Sequence, residues 1–598
     1  MASAPTKTDA ATTDAGRAPD LKYFRDRYPL TVANFGSLGE REAYLRRIWQ
    51  TEVRWREALE SGERHAGREA VVSSAPPAGL AVEGEFEIIY AGGVAGLLHA
   101  AVLAARFKRR VMVFDESAIG RDGGGGGGSS RGGGRVWNIS GEELGEFERA
   151  GLFTKEEIEA AIVNRYRSGF VKFHDAASRV KTPPLWMENV LDVAVDADKL
   201  LTLAAAKIRA RGAEGCAIVE HARFVRAYVE RDRVCVEVEE ARSGVGNSGG
   251  GRRRLFAARL FVDAQGIHSP VARQFNEGRT PTHVAPSVGT VARGFARGEG
   301  ADKVDFNVGE ILVSTEDARD HRQLIWEGFA GSRARDEYAT RLFFYDAVDS
   351  PADKSLLALF ERYFEELPRY KRAGAQWRVE RPLFGYAPGV HRRGWKTRTR
   401  TAENRVMIVG DAACVGGSGA LSFSGFGSCA RHLRRLTHLT DLALAADLLD
   451  ARALSEINAP APRVAQMSGF VEFLRPAPQG EPSHVNETLN AVMAALHDLD
   501  VRVRRELFQD RMSFGALKSL LSRTAKHYPR IFQRVREHLG ARGTFWWLAG
   551  VAEAAFSERR ARASAGGETP EGGTAQEPAE EFARYLALYK KENGRAGD

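Results

Sequence analysis

The sequence predicts an α/β protein built on a Rossmann-type, doubly wound sheet. Three segments predict it, each an apolar strand that ends in a turn and leads toward a helix. The first is FEIIY at 86–90, followed by AGGVAG and an alanine-rich helix from Val94 to about Lys108. The second is LFVDAQGIHSPVAR at 260–273. The third is NRVMIVGDAACVGGSGALSFSGFGSCARHL at 404–433, a strand, a glycine-rich loop and a helix.

The 598-residue chain, 43% hydrophobic, is long enough for more than one domain. It opens on MASAPTKTDAATTDAGRAPD, which lacks the apolar stretch of a secretory signal, and Asp9, Asp14 and Asp20 argue against a plastid transit peptide. A disordered leader is expected there. Residues 37–62 read as an amphipathic helix with Leu45, Ile48, Trp49, Val53 and Leu59 toward one face. Next comes the 86–115 unit, whose second strand RVMVFDE ends in Asp115 and Glu116. Glycine-loaded inserts are expected at 121–135, 243–254 and before a short C-terminal helix. In the second insert Gly244, Gly246 and Gly249 match G-x-G-x-x-G, but no helix follows to offer its amides to a phosphate, so the match is a decoy.

Four cysteines without a C-x-x-C pair or a His/Cys cluster indicate a reducing compartment and no metal site. The net charge of +8 is modest, and the arginines are not interleaved with aromatics, which argues against nucleic-acid binding. No apolar run reaches the roughly 18 residues that span a bilayer. The stretch GTFWWLAGVAEAAF at 543–556 reads either as a buried helix or as one that dips into a membrane surface.

In the first unit Gly92 and Gly93 would let the backbone approach a pyrophosphate, and Gly96 would let helix and strand pack closely. Asp115, or its neighbour Glu116, stands where an acid would take a ribose hydroxyl. Ala91 replaces the first glycine of the fingerprint; if that position needs φ > 0, its Cβ costs about 1 kcal/mol. Alone, this stretch reads equally as a cofactor site or an ordinary βαβ turn. The other two segments decide for the cofactor. Asp263, Gly266, Ser269 and Arg273, with Gly410-Asp411, resemble the D-A-x-G-x-x-S-x-x-R and G-D motifs of flavoproteins of the p-hydroxybenzoate hydroxylase fold. The resemblance implies FAD, with Asp411 at the ribityl hydroxyls; Asp263 is either a cofactor contact or the cap of its turn, and the motif favours contact.

VWNIS at 136–140, LIWEGF at 324–329 and LSFSGFGSCARHLRRLT at 421–437 are similar to segments of the Cru-type lycopene cyclases and their plastid paralogs. The likeness runs from about residue 82 to beyond 510. It departs in the 412–420 loop, where Gly417 and Ser418 stand in place of a frequent proline. The resemblance implies cyclisation of linear carotenoid ends by acid/base chemistry beside reduced FAD, with NADPH as reductant, at a plastid membrane surface, or in the cytoplasm of a bacterium.

The proton donor should be an acid kept neutral by an apolar pocket. Glu327 is the candidate, in a segment that resembles the F-L-E-E-T stretch of plant-type cyclases; the competing reading is a solvated residue on a strand's polar face. Trp326, Phe329 and Phe343, with Phe344 and Tyr345, are expected to face a cation or to form ordinary core. Trp137 and Asn138 are expected to pack beside the flavin domain, Cys414 to fill space, and His268 and His432 to make surface or backbone hydrogen bonds. Two rivals share the fold: a flavin-dependent oxidoreductase (monooxygenase or prenyl reductase) and a non-catalytic paralog. The W-x-W-x-I-P motif of halogenases is absent.

The expected architecture is a discontinuous FAD domain (82–140, 196–275 and 400–450) and a substrate-pocket domain (141–195 and 276–399) with an antiparallel sheet. Residues 451–556 should be helical, and 557–598 a low-complexity tail with a short helix.

Overall fold

The computed structural model describes residues 19–60, 70–74, 79–119, 136–241, 251–266, 269–278, 280–332, 334–389, 400–413, 425–457, 472–477, 480–563 and 577–595. The leader, the glycine run at 120–135, the Gly244–Gly249 match, His268, Cys414 and the 414–424 loop lie outside them.

The larger sheet holds nine strands. Five of them are parallel, in the spatial order Val406–Ile408, Arg252–Asp263, Val82–Ala91, Val111–Asp115 and Ala217–Glu220. The chain winds outward from Val82–Ala91 through the last two, then returns to build Arg252–Asp263 and Val406–Ile408 on the other side. Val82–Ala91 and Arg252–Asp263 therefore meet where the winding reverses. That is where carboxyl strand ends leave a crevice for a ligand. The strands Ala222–Val229 and Val234–Glu240 extend the sheet as an antiparallel meander.

The Arg252–Asp263 strand begins three residues earlier than the sequence suggests, inside the expected insert. Acids across the ladder account for it. Arg252 and Arg254 pair with Glu83 at 3.1 and 2.8 Å, Arg253 with Glu237 at 2.8 Å, and Arg254 with Glu240 at 3.1 Å. The helix predicted to reach Lys108 closes at Ala105.

Val136–Ile139 forms a small three-stranded sheet with Ile162–Arg165 and Val193–Asp196, and its Ile139 shares a core with the Val94–Ala105 helix. An eight-stranded sheet makes the second layer, from His283–Phe295, Val308–Val313, Ile325–Ala330, Tyr338–Phe343, Asp346–Ala347 and Ala373–Gly389, with Ser168–Lys172 and Leu185–Met187 at one edge. One face of this sheet is covered by the Leu356–Tyr370 helix, whose Phe360, Tyr363 and Tyr370 join the main core.

The N-terminal amphipathic helix runs Arg41–Glu60 and buries Leu45, Ile48, Glu52, Trp55 and Ala58. The buried face is thus rotated from the expected one, and Val53 and Leu59 are only half-buried. Glu52 explains the rotation: its carboxylate accepts from Ser355 Oγ and Leu357 N, both at 2.8 Å, at the start of the Leu356–Tyr370 helix. An acid there meets unsatisfied amides and the positive end of the helix dipole.

Beneath the eight-stranded sheet lies a buried ion pair, Glu310–Lys371 at 2.5 Å, in which Lys371 Nζ also donates to the carbonyls of Ala301 and Lys303. Glu310→Gln leaves that ammonium with carbonyl partners alone. It is expected to lower the unfolding free energy by about 1–3 kcal/mol, measured by urea denaturation.

Candidate cofactor crevice and acid-bearing sheet face

Three motif ends converge because the ladder aligns them. Ala91 is level with Phe114 on one side and Asp263 on the other, and Asp263 is level with Ile408. After Ala91 the backbone turns through Gly92 (φ 57°) and Gly93 (φ 76°) into the Val94–Ala105 helix. Ala91 itself is an ordinary strand residue, absent from the residues with positive φ. The strain considered for it does not arise; the left-handed backbone begins one residue later.

Gly93 and Gly96 are required by close approach. A Cβ on Gly93 would lie 1.9 Å from the Ala264 carbonyl oxygen, and one on Gly96 would lie 2.8 Å from Ala264 Cβ. The first helix is thereby pressed against the strand carrying Asp263. Gly410 (φ 65°) closes the third side, where a Cβ would stand 3.0 Å from Ala95 Cβ. No acid sits in the helix's first turn, so its amides and dipole favour an anion.

Asp115 ends its strand buried, with Oδ1 accepting from Ser117 N at 2.8 Å. Glu116 is exposed. Asp411 lies in a short 3-10 turn and is exposed, yet surrounding protein desolvates it enough to push its carboxyl above the usual range. Gly266 (φ 71°) has nothing within 4 Å of where a Cβ would stand, so the chain at the crevice edge leaves room beside it.

Asp263 takes the capping role. Its Oδ1 accepts from Gln265 N at 2.9 Å and its Oδ2 from Ser269 Oγ at 2.5 Å, while Ser269 Oγ accepts from Ala272 N at the start of the next helix. It has no exposed surface and shapes the turn from inside. Burial pushes its carboxyl up to about 6. Because that lies above the 3.8 of the unfolded chain, the native state holds this proton more tightly, and this group's contribution to stability falls as pH rises from about 4 to about 6. Asp263→Asn, whose amide can donate to Ser269 Oγ while its oxygen accepts from Gln265, is expected to fold and to remove that slope, as read from melting temperatures across this pH range.

The VWNIS segment docks on the helix of the third motif. Trp137 packs on Phe426 with ring centroids 4.3 Å apart, and Phe147 meets Phe426 at 5.5 Å. Ser140 and Glu143 form a capping box, and buried Glu143 pairs with Arg431. Gly427 is needed there, because a Cβ would strike the Glu143 carboxylate. His432 makes the backbone contact expected of it, with Nδ1 2.9 Å from Ser428 O.

Glu327 lies on the Ile325–Ala330 strand, directly across from Arg341. Alternation places Ile325, Glu327 and Phe329 on one face and Trp326 on the other. Trp326, expected in the pocket, instead stacks on Tyr370 at 4.5 Å beneath the covering helix. Phe329 and Phe343 do share the Glu327 side: Phe343 pairs with Ile325, and Phe329 meets Tyr166 with centroids 5.6 Å apart. Tyr345 packs edge-on against Phe343 at 5.5 Å and feels the Glu327 charge. Phe344 is fully buried. Burial pushes the Glu327 carboxyl up, and Arg341 opposes the shift. Glu327 nevertheless keeps part of its surface open.

Tyr166 joins the two regions: its hydroxyl donates to Ala330 O at 2.6 Å and lies 3.3 Å from Asn138 Oδ1. Nothing local in the sequence singles out Tyr166 or Arg341, since their roles depend on pairing between distant strands. Among the described residues no cluster of His, Cys, Asp and Glu suits a metal ion.

No protein-family model matches the chain, and no curated protein matches it in sequence. Among solved structures, a geranylgeranyl bacteriochlorophyll reductase-like protein from Thermoplasma acidophilum aligns with a TM-score of 0.51 at 12% identity, over 76% of this chain and 99% of that one. The halogenase PltM, in complex with phloroglucinol and FAD, aligns with a TM-score of 0.47 at 13% identity over 85% of this chain and 96% of that one. The p-nitrophenol 4-monooxygenase PnpA from Pseudomonas putida DLL-E4 gives 0.45 at 14% identity, over 73% and 99%. Likeness at these identities is likeness of fold. The chain is an α/β protein with a Rossmann-type doubly wound domain, an antiparallel-sheet second layer and a helical C-terminal region, and its fold is like that of the reductase-like protein over 76% of the chain.

Proposed function

We propose that this chain is an FAD-dependent, lycopene cyclase-like enzyme that closes rings at the ends of a linear carotenoid by proton transfer. One observation carries the reading: a partly open carboxylic acid, Glu327, whose pKa is raised by burial, on a sheet face it shares with Phe329 and Phe343. An acid so placed stays protonated more readily than one in water and can give its proton to an alkene.

The crevice fits FAD. Gly92, Gly93 and the amides opening the Val94–Ala105 helix would hold the pyrophosphate, Asp115 the ribose, and Asp411 the ribityl chain, as the resemblance implies. Reduced FAD, replenished by NADPH, would supply negative charge near a carbocation. The chain's own part is to exclude water, to donate from Glu327 and to offer ring faces at Phe329, Phe343 and Tyr345 to the positive charge. The proton balance closes when a neighbouring carbon returns a proton to the Glu327 carboxylate, without net redox change. In this reading the enzyme works at a plastid membrane surface, or in the cytoplasm if bacterial.

The alternative of a prenyl reductase on the same fold draws support from the reductase-like neighbour. The non-catalytic reading loses one of its two supports, since Ala91 carries no strain. Expression in bacteria that accumulate lycopene separates these readings. Cyclic carotene supports cyclisation; unchanged lycopene with NADPH consumed in the presence of a polyprenyl substrate supports reduction instead.

A further inference from the structure

The C-terminal region packs the helices His484–His497, Val501–Phe508, Phe514–His527 and Ile531–Ala563. The last of these breaks at Gly540 (φ 66°). Beyond the break its two sides differ. Trp547 and Val551 turn inward, Trp547 meeting Phe473 at 6.2 Å and Val551 packing on the main core. On the other side Ala541, Phe545, Leu548, Ala552 and Phe556 are all exposed. Steps of four, three, four and four residues hold them in one stripe along the helix.

Phe545, Leu548 and Phe556 are 60%, 54% and 65% exposed, and Phe532, ahead of the break, is 67% exposed. These are half of the eight large hydrophobic side chains exposed among the described residues. Single exposed apolar residues are ordinary; a stripe of them marks a contact surface.

Charge identifies what it contacts. Residues 501–563 hold fourteen lysines and arginines against five acids, a net +9, whereas the whole chain carries +8. The rest of the protein is therefore slightly acidic, and its positive excess is gathered in this region. Arg536 and Arg542 are exposed beside the stripe. Among the described residues no helix is long and apolar enough to cross a membrane.

We propose that the exposed stripe of the Ile531–Ala563 helix docks the protein on the surface of an anionic lipid bilayer. The rings enter the headgroup boundary, and the surrounding arginines meet lipid phosphates. A second copy of the chain would bring the same exposed Arg536 and Arg542 against this face, which disfavours self-association through it. The docking rests on this C-terminal region and does not depend on the reaction proposed above.

Sedimentation of the full chain with vesicles tests it, using phosphatidylcholine alone and phosphatidylcholine mixed with phosphatidylglycerol. The protein is expected to sediment with the phosphatidylglycerol vesicles and to be released by high salt. The triple variant Phe545→Ser, Leu548→Ser, Phe556→Ser should weaken binding at least about tenfold with an unchanged melting temperature, since all three side chains face solvent. Arg536→Glu with Arg542→Glu should remove the preference for phosphatidylglycerol. Three results would each overturn the proposal: no binding to either vesicle, undiminished binding by the serine variant, or a concentration-dependent dimer that the serine variant abolishes.

Discussion

Glu327→Gln is expected to cut carotene cyclisation by about 10²–10⁴-fold while leaving flavin content and melting temperature unchanged. The substitution keeps the shape of the side chain and removes only the transferable proton. Glu327 is partly open and makes no close ion pair with Arg341, although the two face each other across the ladder. Exchanging its neutral carboxyl for an amide therefore breaks no ion pair and costs little stability. Pigment extracts from lycopene-accumulating cells give the activity, and the absorbance of purified protein gives the flavin. Trp326→Phe is the control from the opposite face. It should lower stability through the lost stacking on Tyr370 without the selective loss of product. Undiminished ring formation by Glu327→Gln would remove Glu327 as the donor. Loss of product together with flavin would mean that the substitution acts on the fold.

Gly93→Val is expected to yield protein without flavin, destabilised by more than about 4 kcal/mol. Two effects act together. The backbone at φ 76° and ψ 151° is one that side-chain-bearing residues rarely adopt. The new Cβ would also stand 1.9 Å from the Ala264 carbonyl, a main-chain atom that no rotamer change can clear. Gly96→Ala is the graded comparison. Its Cβ meets another Cβ at 2.8 Å within a regular helix, so a small shift of the helix is enough and a smaller loss is expected. Ala91→Gly completes the series. It restores the letter of the fingerprint but should lower stability by about 0.5–1 kcal/mol, because a strand residue with ordinary φ gains nothing from glycine. Urea unfolding and flavin absorbance read all three. Flavin retained by Gly93→Val would show that the crevice does not hold the cofactor.

Alternation along the Ile325–Ala330 strand was available from the sequence: adjacent residues of a strand cannot share a face, so Trp326 and Glu327 could not both line one pocket. The rotation of the Arg41–Glu60 helix was not available. Its buried Glu52 is sensible only beside the start of a helix some 300 residues later in the chain. The same holds for the arginines at 252–254, which read as insert until the acids at 83, 237 and 240 are placed across the ladder.

By itself the sequence determined the three strand–turn–helix units, because each is local: a run of apolar residues, a glycine where φ turns positive and a helix-forming stretch lie within about 20 residues of one another. It also placed Gly93, Gly96, Asp115, Asp263 and Asp411 at the ends of those units. Tertiary structure alone decided what faces what. It set Arg341 against Glu327, joined Asn138 to Ala330 through Tyr166, closed Asp263 inside its turn, and left Phe545, Leu548 and Phe556 largely exposed. Register and packing between segments far apart in the chain fix such pairings, and no single segment carries that information.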